Sequence, residues 1–162
     1  MSSVRIGSFL VAWLLCGCPH TTEEQSAPPG LPAGGLEARW ESLRAPFRPD
    51  DAAVLADGKE LYQRPFRGVS CASCHGLEGD GRGVIGPYLE PRPPGFAEGL
   101  LPDAFARHPG RVLGWVTRGI ARTPMPAFGL VMSEEERWKT IAYAGSLGRK
   151  AGEGSCEGRN CR

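Results

Sequence analysis

The chain has little net charge to steer it: 19 Lys and Arg stand against 18 Asp and Glu in 162 residues, a formal +1. It has no basic stripe interleaved with aromatics, which excludes the electrostatic footprint of a nucleic-acid binder. It has no internal repeat and no convincing run of alternating apolar and polar residues, so strands are not expected and the class reads as all-α. Aromatics make up only 8%, while Gly (23) and Pro (15) are abundant. Such a composition fills a large core poorly, and a buried apolar cofactor would supply the missing bulk. The apolar run at residues 6–15 is too short to span a bilayer as a helix.

That run follows a short polar stretch with one cation, Arg5, and has the length and order of a secretory signal. It leads into Leu15-Cys16-Gly17-Cys18, which resembles a bacterial lipobox with Cys18 as the lipid acceptor. Cys16 fits worse, because Trp13 and Leu15 would then occupy the recognition positions. A plain cleaved signal is the third reading. Cleavage before Cys18 would leave 18 acidic and 18 basic side chains, since Arg5 is the only charged residue removed. Docking by a strong overall field is then not expected. The expected location is the periplasmic side of a bacterial cell envelope, as a lipoprotein with a membrane anchor. Several acyl chains hold far better than one.

The expected organisation is a signal peptide at 1–17, a flexible tether at 18–49, a folded domain at 50–149 and a Gly-rich tail at 150–162. The tether is rich in Pro and Gly between 28 and 35 and cannot bury enough surface to order itself; a short helix at 36–43 would be stopped by Pro46 and Pro49. Asp50 or Asp51 can cap a helix running to about Gln63, with Val54, Leu55, Leu61 and Tyr62 as its apolar stripe and Gly58 as its weak point. Short helices are expected at 102–107 and 111–118. Ser133 with Glu136 has capping-box spacing and opens the clearest helix, which Gly148 is expected to stop.

The six cysteines fall into three close pairs. Cys71-Ala72-Ser73-Cys74-His75 has the Cys-x-x-Cys-His spacing of haem c attachment. Two thiols about one helical turn apart can add to the two vinyl groups on one porphyrin edge, and the next residue can place an imidazole nitrogen on iron. His75 then needs an acceptor for its other ring N–H. A zinc site would need four ligands. A thioredoxin-like pair would need a βαβ setting, and a structural disulfide is the remaining alternative. Cys156 and Cys161, in an oxidising compartment, are expected to close a local disulfide, with a metal site as the alternative.

Met125, between Pro124 and Pro126, is the candidate second axial ligand, its thioether favouring the reduced metal. The competing readings are that Met125 only fills core, or that His108 takes the role; of the other methionines, Met1 belongs to the signal and Met132 precedes the last helix. His20 sits beside the lipid anchor and is unsuited.

These residues resemble the class I (mitochondrial-type) cytochrome c fold, in the manner of small bacterial mono-haem domains, from about Asp50 to about Arg149. The pieces run in the family's order: Gly58 to Tyr62, the attachment site, the Gly-rich loop Gly79 to Gly83, Leu89 with Pro91, Pro93 and Phe96, the helix before the methionine loop, and Met125 to Phe128 followed by the closing helix. The resemblance implies four to five helices and long loops around one covalent haem, with the first and last helices crossing. Leu55, Leu61, Tyr62, Ile141 and Tyr143 would meet there. It implies a proline carbonyl as acceptor for His75, for which Pro87 is the candidate, and propionate partners at Arg118 and Arg122. The chain departs from the family pattern at Val84, where many relatives carry proline.

The function expected is single-electron transfer between redox protein partners, a donor and an acceptor, by a carrier that is not itself a catalyst. Its iron would be held by His75 and Met125. A haem subunit of a larger oxidoreductase complex and a gas-binding haem sensor are the alternatives. A di-haem peroxidase would need a second attachment motif.

Overall fold

The computed structural model describes residues 35–99 and 101–154. The expected signal segment, Cys18, the first part of the tether, and Cys156 with Cys161 lie outside the described residues. Within them the chain is all-α and has no strand. Six α-helices and one 3-10 turn follow in order: α1 (Gly35–Ser42), α2 (Ala52–Gln63), α3 (Cys71–His75), the 3-10 turn (Gly86–Tyr88), α4 (Leu101–Arg107), α5 (Pro109–Arg118) and α6 (Glu134–Gly154). The helix beyond the four to five anticipated is α3, a single turn that carries the two cysteines.

Asp51 starts α2 by accepting hydrogen bonds from the N–H groups of Ala53 (2.9 Å) and Val54 (3.4 Å), two donors that the first turn leaves without partners. The helix ends at Gln63 because Arg64 precedes Pro65 and is held extended. α6 opens on a reciprocal capping box: the Glu136 N–H reaches Ser133 Oγ at 3.2 Å, and the Ser133 N–H reaches the Glu136 carboxylate at 2.8 Å. α2 and α6 cross in the most extensive helix contact of the fold. Gly58 is the crossing point. A Cβ there would stand 2.9 Å from the Tyr143 Cβ and run into the Lys139 backbone. Tyr62 and Tyr143 meet edge to face at 5.4 Å, as anticipated. Leu61 instead packs with Phe128 and Met132, and Ile141 with Leu113 and Trp138.

Two boundaries differ from expectation. α6 does not stop at Gly148 but runs to Gly154. One glycine costs a helix only about 1 kcal/mol, and this one lets the Phe96 backbone approach, with a Cβ at 148 falling 2.7 Å from the Phe96 carbonyl oxygen. The stretch 35–49, assigned to the tether from its prolines, packs on the domain. Trp40, Leu43, Ala45 and Phe47 join the cluster of Ala104, Val112, Leu113, Trp138 and Ile141. α1 approaches α5 closely because Gly110 and Gly114 leave room: a Cβ at 110 would lie 2.8 Å from the Leu43 carbonyl oxygen, and one at 114 lies 3.0 Å from the Trp40 ring. Three large apolar side chains, with Ala45 beside them, outweigh the local signal of the prolines.

The buried residues form three clusters instead of the single contiguous core of most domains. The second joins Tyr62 and Phe96 to Ala144 and Leu147. The third joins Leu61, Phe128 and Met132. The first two line a common cavity, and the third borders it through Met125 and Val116.

Candidate functional site

α3 is fixed at both ends. At its start the Ser73 N–H donates to Ser70 Oγ at 3.1 Å, and the Ser70 N–H donates to Ser73 Oγ at 3.2 Å, a capping box within one turn. At its end the carbonyls that a helix leaves unpaired are taken up by the following loop. Ile85 N–H donates to Ser73 O (3.0 Å), Gly83 N–H to Cys74 O (3.1 Å) and Gly81 N–H to His75 O (2.9 Å). The buried Tyr62 hydroxyl donates to Gly76 O at 2.7 Å. The Gly-rich loop has a packing reason: a Cβ at Gly83 or at Gly86 would come within 2.5 Å of the Ser73 or Cys74 backbone.

Cys71, Cys74 and His75 line one cavity together with Tyr62, Phe96, Trp115, Ile120 and Met125. With its open mouth included, the cavity measures about 980 Å³. Val112 and Ile141 come from the first cluster, Tyr62 and Phe96 from the second, and Met125, with Val116, borders the third.

The two thiols are free and one turn apart. Burial pushes the Cys71 thiol up to about 12 and moves Cys74 the same way. A redox-active Cys-x-x-Cys pair carries a lowered thiol pKa, so this environment speaks against the thioredoxin-like reading. Among the described residues no three His, Cys, Asp or Glu side chains converge on a metal-sized point; Cys156 and Cys161 lie outside them.

Burial lowers the proton affinity of His75, and the backbone carbonyl of Pro94 acts in the opposite sense. A neutral imidazole is the form that binds a metal. The ring stacks on Phe96, with centroids 4.8 Å apart and planes 27° apart. Nδ1 is buried and makes no hydrogen bond of full geometry, so Pro94 faces the ring without closing the contact. Pro87, the acceptor expected from the resemblance, is exposed in the 3-10 turn. The proline beside His75 is Pro94, at the end of the Pro91-Arg92-Pro93-Pro94 wall.

Met125 is half-buried in the cavity wall. Its loop is closed by hydrogen bonds from Ile120 N–H to Met125 O (3.3 Å) and from Met125 N–H to Thr123 Oγ1 (3.2 Å). It is pinned to the end of α5 by Phe128 N–H to Val116 O and Gly129 N–H to Thr117 O, both 3.0 Å. His108 and Met132 lie elsewhere. Met132 is buried with Leu61 and Phe128. His108 sits at the start of α5 with Nδ1 3.0 Å from Glu41 Oε2.

Arg118 lies over the Trp40 ring at 5.1 Å and Arg122 is exposed, and neither lines the cavity. The arginine that borders it is Arg92, itself exposed, for which no role was expected from the sequence.

The residues fit a covalent haem: an apolar cavity, two thiols one helical turn apart, an imidazole with one nitrogen buried, and a thioether lining the same cavity.

Residues 53–143 match the family model described as cytochrome c oxidase, cbb3-type, subunit III. Among solved structures the chain is similar to one from the reducing HAO-like protein complex of Kuenenia stuttgartiensis, at 30% identity and a TM-score of 0.53. That match takes in 63% of this chain and 46% of the other, so this chain spans less than half of that relative's length. No curated protein matches. The family match takes in α2 to α5, both cysteines, His75, Met125 and the first turns of α6, more than half of the chain. The protein therefore belongs to this cytochrome c family and contains a c-type cytochrome domain of class I type.

Proposed function

We propose that the chain is a mono-haem electron carrier of the cell envelope, in which Cys71 and Cys74 hold haem c by thioethers and His75 and Met125 are its axial ligands. The observation that carries this reading is that both thiols, the imidazole and the thioether line one apolar cavity. When bound, the haem supplies a one-electron couple. The chain's own residues do the rest. α3 would hold the group through its two thiols, and Phe96 orients the His75 ring. The Pro-flanked loop presents Met125, whose thioether would be the second iron ligand. Arg92 would offer a cation to the acidic side chains of the group. The apolar walls keep water out and so help set the potential.

An optical spectrum of the matured protein, oxidised and reduced, followed by acidified organic extraction, tests the reading. The expected result is a chromophore that stays with the polypeptide and shows methionine ligation. A colour that washes out, or none, overturns it. Met125→Ala should keep the covalent haem, lower the potential and open the iron to carbon monoxide. An unchanged potential and spectrum would remove Met125 from the site, and rapid carbon monoxide binding by the unsubstituted protein would favour a gas sensor.

Export and anchoring through Cys18 belong to the same proposal. Fatty-acid labelling of the protein, abolished by Cys18→Ser, is the expected result. A second reading, a haem subunit of a larger oxidoreductase, draws on the similar chain's membership of a complex. Co-purification of a catalytic subunit from native membranes would favour it.

A further inference from the structure

Among the described residues Arg137 is the only charged side chain that is buried, with 7% exposure. A charge taken out of water is costly unless a partner meets it. Here the Nε of Arg137 is buried without a hydrogen-bond partner, and among the described residues no carboxylate pairs with the guanidinium. Glu136, its neighbour in the first turn of α6, is taken by Arg64 and by the Ser133 N–H. Glu135 is taken by Lys139, which also holds Asp57. Glu134 is exposed.

The cation stands one layer behind the cavity wall. Arg137 precedes Thr140 and Ile141 on α6 by three and four positions, and both of those line the cavity. Residues at that spacing are neighbours on one helix face. Its side chain lies against the far end of the Met125 loop, where Gly129 leaves room for it. A Cβ at Gly129 would stand 3.2 Å from Arg137 Nη1 and 2.8 Å from the Thr117 carbonyl oxygen. Thr117 directly follows Trp115 and Val116, which belong to the wall. The Gly129 N–H donates to Thr117 O at 3.0 Å, so the backbone around the cation is tied down. α5, α6 and the Met125 loop thus meet at an ion that no side chain neutralises.

A haem that has lost one electron carries one unit more positive charge than before. A fixed cation nearby, in a medium of low dielectric, therefore opposes oxidation. Resting on the haem reading above, we infer that Arg137 is a buried cation that favours the reduced state of the haem and so raises the reduction potential of the site. It acts by its field and touches neither iron ligand. Exposed charges such as Arg64 and Lys139 are screened by water, salt and their own carboxylates, and contribute far less.

The test is a redox titration of the matured whole chain as the parent, as Arg137→Met and as Arg137→Gln. The two replacements share only the loss of charge, one being apolar and the other polar. A unit charge about 10 Å from a redox centre, at an effective dielectric of about 20, changes the ratio of reduced to oxidised protein by about tenfold. Both variants should therefore have midpoint potentials lower than the parent's by about 59 mV, the one-electron equivalent of that ratio. The spectrum of methionine ligation should be the same in all three proteins, and the shift should survive high salt. An unchanged potential overturns the role of Arg137 and leaves the haem reading standing, whether or not the urea midpoint falls. So does a shift in only one variant, or a shift that salt erases. Loss of methionine ligation overturns it as well, since the side chain would then act by bracing the Met125 loop. If neither variant matures, folding needs the guanidinium and the proposal fails. A parent without covalent chromophore overturns the haem reading and this inference with it.

Discussion

The turn that carries the cysteines and the face made by α1 on α5 are built in opposite ways. Around α3 every fixing contact is short in sequence: Ser70 with Ser73, Gly81 with His75, Ile85 with Ser73, and Tyr62 with Gly76 at a separation of 14. The α1 face joins Glu41 to His108 and Arg111, 67 and 70 residues away, and lays Trp40 against Gly110 and Gly114. The first region can form without the second. Damage at α3 should therefore remove function, and damage at α1 should remove stability while leaving the site's spectrum alone.

The largest effect is expected at α3. Cys71→Ala/Cys74→Ala should leave no covalent chromophore after acidified organic extraction. It should also loosen the fold, because the cavity that these thiols line is walled by two of the buried clusters and bordered by the third. Retention of covalent haem by the double variant would break the comparison at its root.

Next comes Gly58→Val, which strikes the crossing of α2 and α6. Lys139 and Tyr143 leave no room for a side chain, and overpacking of a fitted contact costs about 1–3 kcal/mol or more. Reduced yield of matured protein and a lower urea midpoint should follow. A wild-type midpoint would mean that the helices can slide apart at no cost.

The contrast in sequence range also sets what could be read from the chain. Ser133 with Glu136, Asp51 before α2, and the spacing of Cys71, Cys74 and His75 are local signals, each satisfied by bonds inside a few residues. Trp40 and the glycines are not. Gly58 and Gly148 read as helix weaknesses because the residues that need their space, Tyr143 and the Phe96 backbone, lie 85 and 52 positions away. Pro94 beside His75 was equally hidden. Its place depends on the loop folding back so that Phe96 N–H donates to Gly79 O at 2.7 Å, whereas Pro87 was nearer in sequence. The two prolines that flank Met125 are a local signal, whereas the burial of Met132 with Leu61 and Phe128 and the contact of His108 with Glu41 are tertiary.

Trp40→Ala sharpens the comparison from the other side. Truncating a buried Trp costs about 3–5 kcal/mol; Trp40 is half-buried, so the lower end of that range, about 3 kcal/mol, is expected in urea unfolding. The oxidised and reduced spectra should match those of the parent. A changed spectrum would show that the α1 face reaches the site through Val112 or Trp115, both of which line the cavity.

The smallest expected effect concerns the ion pairs that hold α1. The hydrogen bond from Arg111 is the main cause that holds the Glu41 carboxyl below its ordinary 4.5. Partial desolvation opposes it, and His108 adds to it. A carboxyl whose folded value is depressed stabilises the fold while it is ionised in both states, above 4.5, and that contribution is lost as pH falls through the lower folded value. Glu41→Gln should therefore melt slightly below the parent at neutral pH, and the gap should close as the pH drops well under 4.5. The acid-sensitive pair on the other wall, Glu136 with the Ser133 N–H and Arg64, is present in both proteins and cancels in the difference. The groups are exposed, so salt should shrink the gap as well. A gap that persists in acid and in high salt would assign the role of Glu41 to packing, and α1 would then be held by Trp40 and its neighbours alone.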